Sequence, residues 1–124
     1  MNVAIIVAAG RGERAGAGGR KQFRTLAGEP VLVHTLRRFE ECETILGTVA
    51  VVPAEEVGSF EATARARGLK KLARVVAGGA TRAESVWRGL ETLDAARARV
   101  VAVHDGVRPF VAPSEIDATV RAAE

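Results

Sequence analysis

Short apolar segments alternate along the chain with longer segments whose apolar residues recur at helical spacing. The apolar segments lie at residues 2–7, 48–52, 72–77 and 99–104. None of them alternates strictly between apolar and polar residues, which is typical of strands that are buried on both faces. The resulting order, β-loop-α-β-α-β-α-β-α, predicts an α/β fold of three layers, with a mainly parallel sheet covered on both faces by helices.

Apolar residues three, four and seven positions apart predict where the helices lie. The predicted helices span about residues 30–41, 55–67 and 81–95, and a last helix begins at 113. Gly68 is expected to end the second helix, because glycine readily adopts the left-handed conformation found at helix ends. In the third helix, Val86, Leu90 and Leu93 are expected to face the core.

The bulk composition is that of one globular domain over residues 1–124. Cys42 is the only cysteine, which excludes an internal disulfide and a cysteine metal cluster. The chain has no apolar span of transmembrane length and no targeting peptide before its first strand, so a cytoplasmic protein is expected. The helical pattern runs to Glu124 without a stop signal, so we expect the chain to be truncated at its C-terminus.

The charge and aromatic content argue against a nucleic-acid-binding protein. The net charge is only +3, and there is no tyrosine to provide stacking surfaces for single strands. A basic nucleic-acid binder stays an alternative whose affinity would fall steeply with salt.

The loop after the first strand is rich in glycines and cations. Residues 8–21 hold five glycines and four arginines or lysines. Glycine lets backbone amides come close to an anion, and the cations neutralise it. This composition predicts a phosphate-binding loop, in which Arg14 and Lys21 are the cations expected to meet phosphate.

The same loop matches the dinucleotide fingerprint Gly10-x-Gly12-x-x-Ala15, but the match is incomplete. The fingerprint requires a helix to begin inside it, and the glycines that follow would break that helix. It also requires an acidic residue at the end of the second strand, where Val52 runs directly into Pro53. A Walker A motif is absent as well, so we expect neither a nicotinamide nor a flavin cofactor.

Polar residues also follow the third strand, at 78–85, and the fourth, at 104–108. Ligands of open parallel sheets bind outside the carboxyl ends of the strands, so these clusters are expected to converge with the glycine loop. Asp105 either holds Mg²⁺ together with water and substrate phosphates or caps its own loop. Arg108 either pairs with Asp105 or meets the substrate. Ser85 is expected to bind ligand, and His104 to be packed rather than to bind metal.

Three sequence blocks, taken together and in this order, resemble the 2-C-methyl-D-erythritol 4-phosphate cytidylyltransferase family. They are Ala8-Ala9-Gly10-x-Gly12-x-Arg14 with Lys21-Gln22-Phe23, then Gly78-Gly79-x-x-Arg82-x-x-Ser85-Val86, then Val103-His104-Asp105-x-x-Arg108-Pro109-Phe110. The resemblance implies a Rossmann-like fold of the nucleotide-diphospho-sugar transferase type. It covers nearly the whole chain, which corresponds to the nucleotide-binding half of the family's proteins.

The resemblance also implies an activity and a set of site residues. The enzyme would join CTP to 2-C-methyl-D-erythritol 4-phosphate, giving 4-diphosphocytidyl-2-C-methyl-D-erythritol and pyrophosphate, with Mg²⁺, in non-mevalonate isoprenoid biosynthesis. Arg14 and Lys21 match the family's catalytic cations, and Asp105 matches its metal-binding aspartate. The positions that match the nucleotide contacts are Ala8, Ala9, Gly10, Gly12, Gly79, Ser85, Gly106 and Arg108.

The chain departs from the family pattern at several positions, and two other functions remain alternatives. Ala15 stands where methionine is usual, Arg20 where proline is usual, and Ala80 where an acidic residue is common. One alternative is ribitol-5-phosphate cytidylyltransferase, and the other is a truncated nucleotide-binding module without turnover. The implied partners are CTP and a polyol phosphate, with no nucleic acid or membrane. A homodimer is expected if the C-terminal half is present.

Overall fold

The fold is that of a computed structural model, which describes residues 1–10 and 21–124, with Lys21 as backbone only. The strands are β1 (Val3–Val7), β2 (Thr25–Leu26), β3 (Glu29–Pro30), β4 (Gly47–Val52), β5 (Leu72–Ala77) and β6 (Val101–Asp105). The helices are α1 (Val31–Glu40), α2 (Val57–Ala66), α3 (Arg82–Leu90) and α4 (Pro113–Ala123), with 3₁₀ turns at Lys21–Phe23 and Ala54–Glu56. None of the helices within these described ranges has the length and apolar character needed to cross a bilayer.

Four of the strands form one sheet in the order β5-β4-β1-β6. All three neighbouring pairs are parallel, and Val7 lies opposite both Val51 and Asp105. The predicted parallel sheet is therefore confirmed. Because the strands run in the same direction, their carboxyl ends meet at one side of the sheet, which we call the carboxyl edge; it is formed by Val7, Val52, Ala77 and Asp105 and the residues that follow them.

Helices cover both faces of this sheet. Ile6 is fully buried on one face, in a core that it shares with Leu36 of α1, Phe60 of α2 and Val120 of α4. Its neighbour Ile5 points to the other face and packs against α3. Successive side chains of a strand point to opposite faces, so continuous burial along β1 requires this double cover.

The packing of α3 corrects the prediction made for it. The helix ends at Leu90, and its buried residues are Ser85 and Gly89. A Cβ added at Gly89 would lie 2.7 Å from Ile5 Cγ2 and 3.2 Å from Val51 Cγ2, so α3 approaches the sheet through small residues. Three residues that were predicted to face the core are only partly buried: Val86, Leu90 and Leu93.

A hairpin that the sequence did not suggest links the 3₁₀ turn to α1. Strands β2 and β3 pair antiparallel, and the two residues between them, Ala27 and Gly28, have φ angles of 51° and 83°. Positive φ at both positions is the conformation of a tight type I′ hairpin turn. Gly68 also has a positive φ, 70°, as its predicted role in ending α2 requires.

A cluster of one carboxylate and two guanidinium groups joins this hairpin to α1 and α2. Arg37 donates to both carboxylate oxygens of Glu29, at 2.6 and 3.0 Å, and Arg67 approaches the same carboxylate at 3.2 Å. The hydrogen bond from Arg37 is the largest cause that lowers the pKa of Glu29, and the burial of the carboxylate opposes it.

Protonation of Glu29 is expected to weaken the fold at low pH. Since the folded-state pKa is lowered, the cluster stabilises the fold fully above the unfolded pKa, about 4.3, and this contribution disappears as the pH falls through the folded-state value. We expect Glu29→Gln to cost about 1 kcal/mol in the free energy of unfolding at pH 7, and less at pH 3. Urea unfolding at both pH values measures this difference. The exposed Glu61, changed to Gln, is the control, and equal costs for Glu29→Gln at both pH values would contradict the expectation.

Candidate functional site

The ends of three strands come into direct contact at the carboxyl edge. A Cβ added at Gly78, after β5, would lie 2.2 Å from Ala9 Cβ, and one added at Gly106, after β6, would lie 2.7 Å from Ala8 Cβ. Side-chain carbons do not approach each other so closely, so both positions require glycine. Residues 8–10, 78–79 and 106 thus pack together as one group made largely of backbone, which we call the backbone cradle; Ala8 and Gly106 are buried, and the others are at least partly exposed.

Buried hydroxyl groups hold two parts of this cradle from beneath. The Thr35 hydroxyl, on α1, donates to the Gly106 carbonyl at 2.7 Å. The Ser85 hydroxyl, on α3, accepts from the Gly79 N–H at 3.1 Å. Both side chains are at most 2% exposed, so their hydrogen bonds are shielded from water. Ser85 was expected to contact ligand, and here it positions the Gly79 peptide.

A buried amide holds the third part. The Gln22 side chain is 4% exposed, and its Nε2 donates to the carbonyls of Ala8 and Gly10, both at 2.7 Å. Every segment of the cradle is therefore fixed by a buried polar side chain that belongs to a neighbouring element.

The turn between β5 and α3 is shaped by a helix-capping motif. The Thr81 hydroxyl accepts from the Glu84 N–H at 3.1 Å, and the Glu84 carboxylate accepts from the Ala80 N–H at 3.0 Å. The hydrogen bond from Ala80 is the largest cause that lowers the pKa of Glu84, and Arg88 adds to it. The sequence Thr-x-x-Glu before a helix is the signal that would have revealed this motif.

Asp105 lies at the end of β6 with its side chain 48% exposed. Its carboxylate pairs with Arg82, the first residue of α3, at 3.2 Å. Pairing with Arg108 was one of the two options considered for that arginine, and it does not occur. Among the described residues, Arg108 makes no hydrogen bond or ion pair of its own, and its side chain is exposed.

Asp105 is suited to a metal ion that takes most of its ligands from water and from a bound substrate. No group of three His, Cys, Asp or Glu side chains in the described ranges is arranged to bind a metal. Mg²⁺ commonly takes one or two protein carboxylates and completes its shell with water and substrate phosphates. A single half-exposed carboxylate beside the cradle fits this mode of binding.

His104 is packed, as expected. Its ring meets Phe39 edge-on, with the ring centres 5.2 Å apart, and its Nε2 is buried with no hydrogen-bond partner among the described atoms. Burial is the largest cause that lowers the pKa of His104, and the positive charge of Arg108 adds to it. The imidazole therefore favours the neutral form.

The structure brings most of the predicted site residues together at the carboxyl edge. They are Ala8, Ala9, Gly10, Gly79, Ser85, Asp105, Gly106 and Arg108. Gly12 and Arg14 lie outside the described residues, and Lys21 is located by its backbone, at the start of the 3₁₀ turn Lys21–Phe23. Gln22 and Arg82 belong to the sequence blocks of the resemblance, but no role was predicted for them or for Thr35, because their partners depend on tertiary contacts.

A parallel sheet between two layers of helices, with glycines at its carboxyl edge, is typical of α/β nucleotide-binding domains. The family model of 2-C-methyl-D-erythritol 4-phosphate cytidylyltransferase matches residues 2–124. The chain belongs to this family.

Individual relatives agree with this assignment. The chain is 48% identical over 98% of its length to the bifunctional enzyme IspD/IspF of Desulforudis audaxviator, of which it covers 30%. It is 44% identical over 97% of its length to the 2-C-methyl-D-erythritol 4-phosphate cytidylyltransferase of Pelotomaculum thermopropionicum, of which it covers 50%.

A solved structure shows the same fold. The 4-diphosphocytidyl-2C-methyl-D-erythritol synthase of Anaerococcus prevotii superposes with a TM-score of 0.81 at 28% identity, covering 98% of this chain and 50% of that one. The chain therefore spans about half the length of the cytidylyltransferases that it matches.

Proposed function

We propose that this chain forms the CTP-binding part of an enzyme that joins CTP to 2-C-methyl-D-erythritol 4-phosphate. The proposal rests on the backbone cradle, where the ends of three strands pack together and the backbone of Ala9, Gly10, Gly78 and Gly79 stays at least partly exposed to a ligand. Membership of the cytidylyltransferase family supports the choice of nucleotide and acceptor.

The proposed reaction is an in-line transfer of a cytidylyl group. A phosphate oxygen of the acceptor attacks the α-phosphorus of CTP, the bond to the β-phosphate breaks, and pyrophosphate leaves. No covalent enzyme intermediate is needed, so the protein acts by positioning and by stabilising charge. In this proposal, Arg14 and Lys21 neutralise the charge that develops on the phosphate groups, and the cradle positions the nucleotide.

Asp105 is the proposed protein ligand of a divalent cation, Mg²⁺, which would neutralise part of the triphosphate charge when bound. The same carboxylate is paired with Arg82, and both side chains are about half exposed, so this pair stabilises the fold only weakly, by about 1 kcal/mol or less. A cation that arrives with its substrate phosphates can therefore displace Arg82 at little cost.

Removal of the Asp105 charge is expected to weaken the binding of the cation. Asp105→Asn should raise the Mn²⁺ concentration required for half-saturation of the CTP-bound chain at least about fivefold, because one charged ligand is lost. Electron paramagnetic resonance of free Mn²⁺ measures this without turnover. The control is Asp94→Asn, since Asp94 caps the turn before β6 by accepting from the Ala96 N–H. Identical Mn²⁺ titrations for Asp105→Asn and the wild-type chain would contradict the assignment.

The test of the proposed activity is pyrophosphate release from CTP. Since the chain spans half of its relatives, the assay compares the chain alone with a chimaera in which it replaces the matching half of the Pelotomaculum thermopropionicum enzyme. Release that depends on 2-C-methyl-D-erythritol 4-phosphate supports the proposal. A folded chimaera that releases pyrophosphate only with ribitol 5-phosphate would overturn the choice of acceptor, and one that binds CTP without any release would support a binding module.

The remaining parts of the proposal concern the whole protein. It is proposed to act in non-mevalonate isoprenoid biosynthesis, as a cytoplasmic homodimer whose contacts lie in the part of the family's length beyond this chain. The family assignment supports the pathway. Sedimentation of the chimaera and of the chain alone tests the dimer, which is expected of the chimaera only.

A further inference from the structure

The buried Gln22 amide joins two stretches of chain that are distant in sequence. Its Nε2 donates to the Ala8 carbonyl, 14 residues away, and to the Gly10 carbonyl, 12 residues away, each at 2.7 Å. Both acceptors are carbonyl oxygens, which cannot donate, so the orientation of the amide is determined by its partners. One NH₂ group thereby uses both of its hydrogens to hold the carbonyl groups of the residues before and after Ala9.

The turn that carries Gln22 is itself anchored to the body of the domain. The Phe23 ring packs against the Phe60 ring of α2, with centres 6.2 Å apart. The Arg24 carbonyl accepts from the Val31 N–H, at the start of α1, at 2.8 Å. Contacts with α1 and α2 fix this turn, and the hydrogen bonds of Gln22 in turn fix the backbone that follows β1.

Ala8 and Ala9 form the floor of the backbone cradle. The Cβ atoms of these two alanines are the nearest of the atoms that exclude a side chain at Gly106 and Gly78. A shift of the 8–10 backbone would consequently change the contact with both neighbouring strand ends, and it would also move the start of the glycine-rich segment.

We propose that Gln22 is a positioning residue for the nucleotide: by holding the Ala8 and Gly10 carbonyls, it orients the 8–10 backbone toward the bound triphosphate. The inference rests on the proposed function, since it names a determinant of CTP binding at the same site. Gln22 does not touch the nucleotide in this proposal. It acts through the two peptides that it holds and through the backbone of the adjacent Lys21.

The test is the affinity of the 124-residue chain for CTP with Mg²⁺, measured by isothermal titration calorimetry. Gln22→Met keeps the length of the side chain and removes both donors, and Gln22→Glu keeps the shape and places a carboxylate against two carbonyl oxygens. Both variants are expected to raise the Kd for CTP at least about tenfold.

A second buried amide provides the matched control. Asn2 is 8% exposed and accepts from the Val100 N–H at the opposite end of the sheet. Asn2→Leu and Gln22→Met each remove one buried amide, so both should lower the thermal unfolding midpoint, but only Gln22→Met should change the Kd for CTP. If Gln22 only stabilised the fold, the two variants would affect the Kd for CTP alike.

Different results would contradict the proposed role of Gln22 and the proposed binding of CTP. Tight binding by wild-type chain and equally tight binding by folded Gln22→Met would overturn the inference and leave the proposed function intact. Weaker binding by Asn2→Leu to the same degree would also overturn it, because the loss would then reflect stability. A folded wild-type chain that binds no CTP would overturn the proposed function and, with it, the inference.

Discussion

Replacement of Gly78 by alanine is expected to abolish most CTP binding and to destabilise the domain. The new Cβ would lie 2.2 Å from Ala9 Cβ and 2.8 Å from Ser85 Oγ, so one of these groups has to move. Overpacking of this kind costs about 1–3 kcal/mol in the free energy of unfolding. A shift of Ala9 displaces the floor of the backbone cradle, and a shift of Ser85 displaces the hydroxyl that accepts from the Gly79 N–H.

Calorimetric titration with CTP and a thermal melt measure the two effects of Gly78→Ala. We expect the Kd for CTP to rise by at least about thirtyfold, which corresponds to roughly 2 kcal/mol. The control is Gly58→Ala on α2, where an added Cβ meets no atom within 4 Å. That change should leave CTP affinity unaltered and stabilise the helix by about 0.5–1 kcal/mol. Wild-type affinity in Gly78→Ala would mean that the cradle does not contact the nucleotide.

Lys21→Ala is expected to reduce turnover by the chimaera at least about tenfold, equivalent to roughly 1.4 kcal/mol of activation free energy. The backbone of Lys21 begins the 3₁₀ turn whose next residue, Gln22, bonds the peptides of the cradle. The Lys21 backbone therefore lies beside the residue that holds the cradle. We expect kcat to fall more than the affinity for CTP, because charge develops on the leaving pyrophosphate in the transition state.

Two further variants separate the role of this lysine from general charge effects. Lys21→Arg keeps the positive charge and should retain more activity than Lys21→Ala. Lys70→Ala removes a lysine in the turn between α2 and β5 and should retain full activity. Steady-state pyrophosphate release measures all three. If Lys21→Ala and Lys70→Ala had the same kcat, Lys21 would not be a catalytic cation.

Sequence patterns predicted the sheet well because each strand is a short, almost wholly apolar segment. The apolar stretch from Val3 to Val7 predicted a strand buried on both faces, and the structure places it inside the sheet, between β4 and β6. The buried face of α3 was predicted wrongly for a physical reason: close packing on Ile5 selected Gly89, which apolar periodicity does not count. The hairpin at Ala27 and Gly28 was missed because its turn lacks the usual Asn-Gly or Asp-Gly pair.

The candidate site could be predicted in outline but not in its supporting contacts. Its residues follow strand ends, which any parallel sheet brings together, so Asp105 and Gly79 were placed correctly by topology alone. The partner of Asp105 proved to be Arg82, 23 residues away, and this choice depends on how α3 begins. The role of Gln22 depends on a tertiary contact, and hydrophobic periodicity contains no information about such contacts.

Amide chemical-shift mapping of the ¹⁵N-labelled chain shows whether CTP binds at the carboxyl edge of the sheet. On titration with CTP and Mg²⁺, we expect saturable shifts at Ala9, Gly10, Gly79 and Gly106, and none at Gly47, which lies at the opposite edge. Saturable shifts confined to the Gly47 edge, or no saturable shift in a folded chain, would contradict binding at the carboxyl edge.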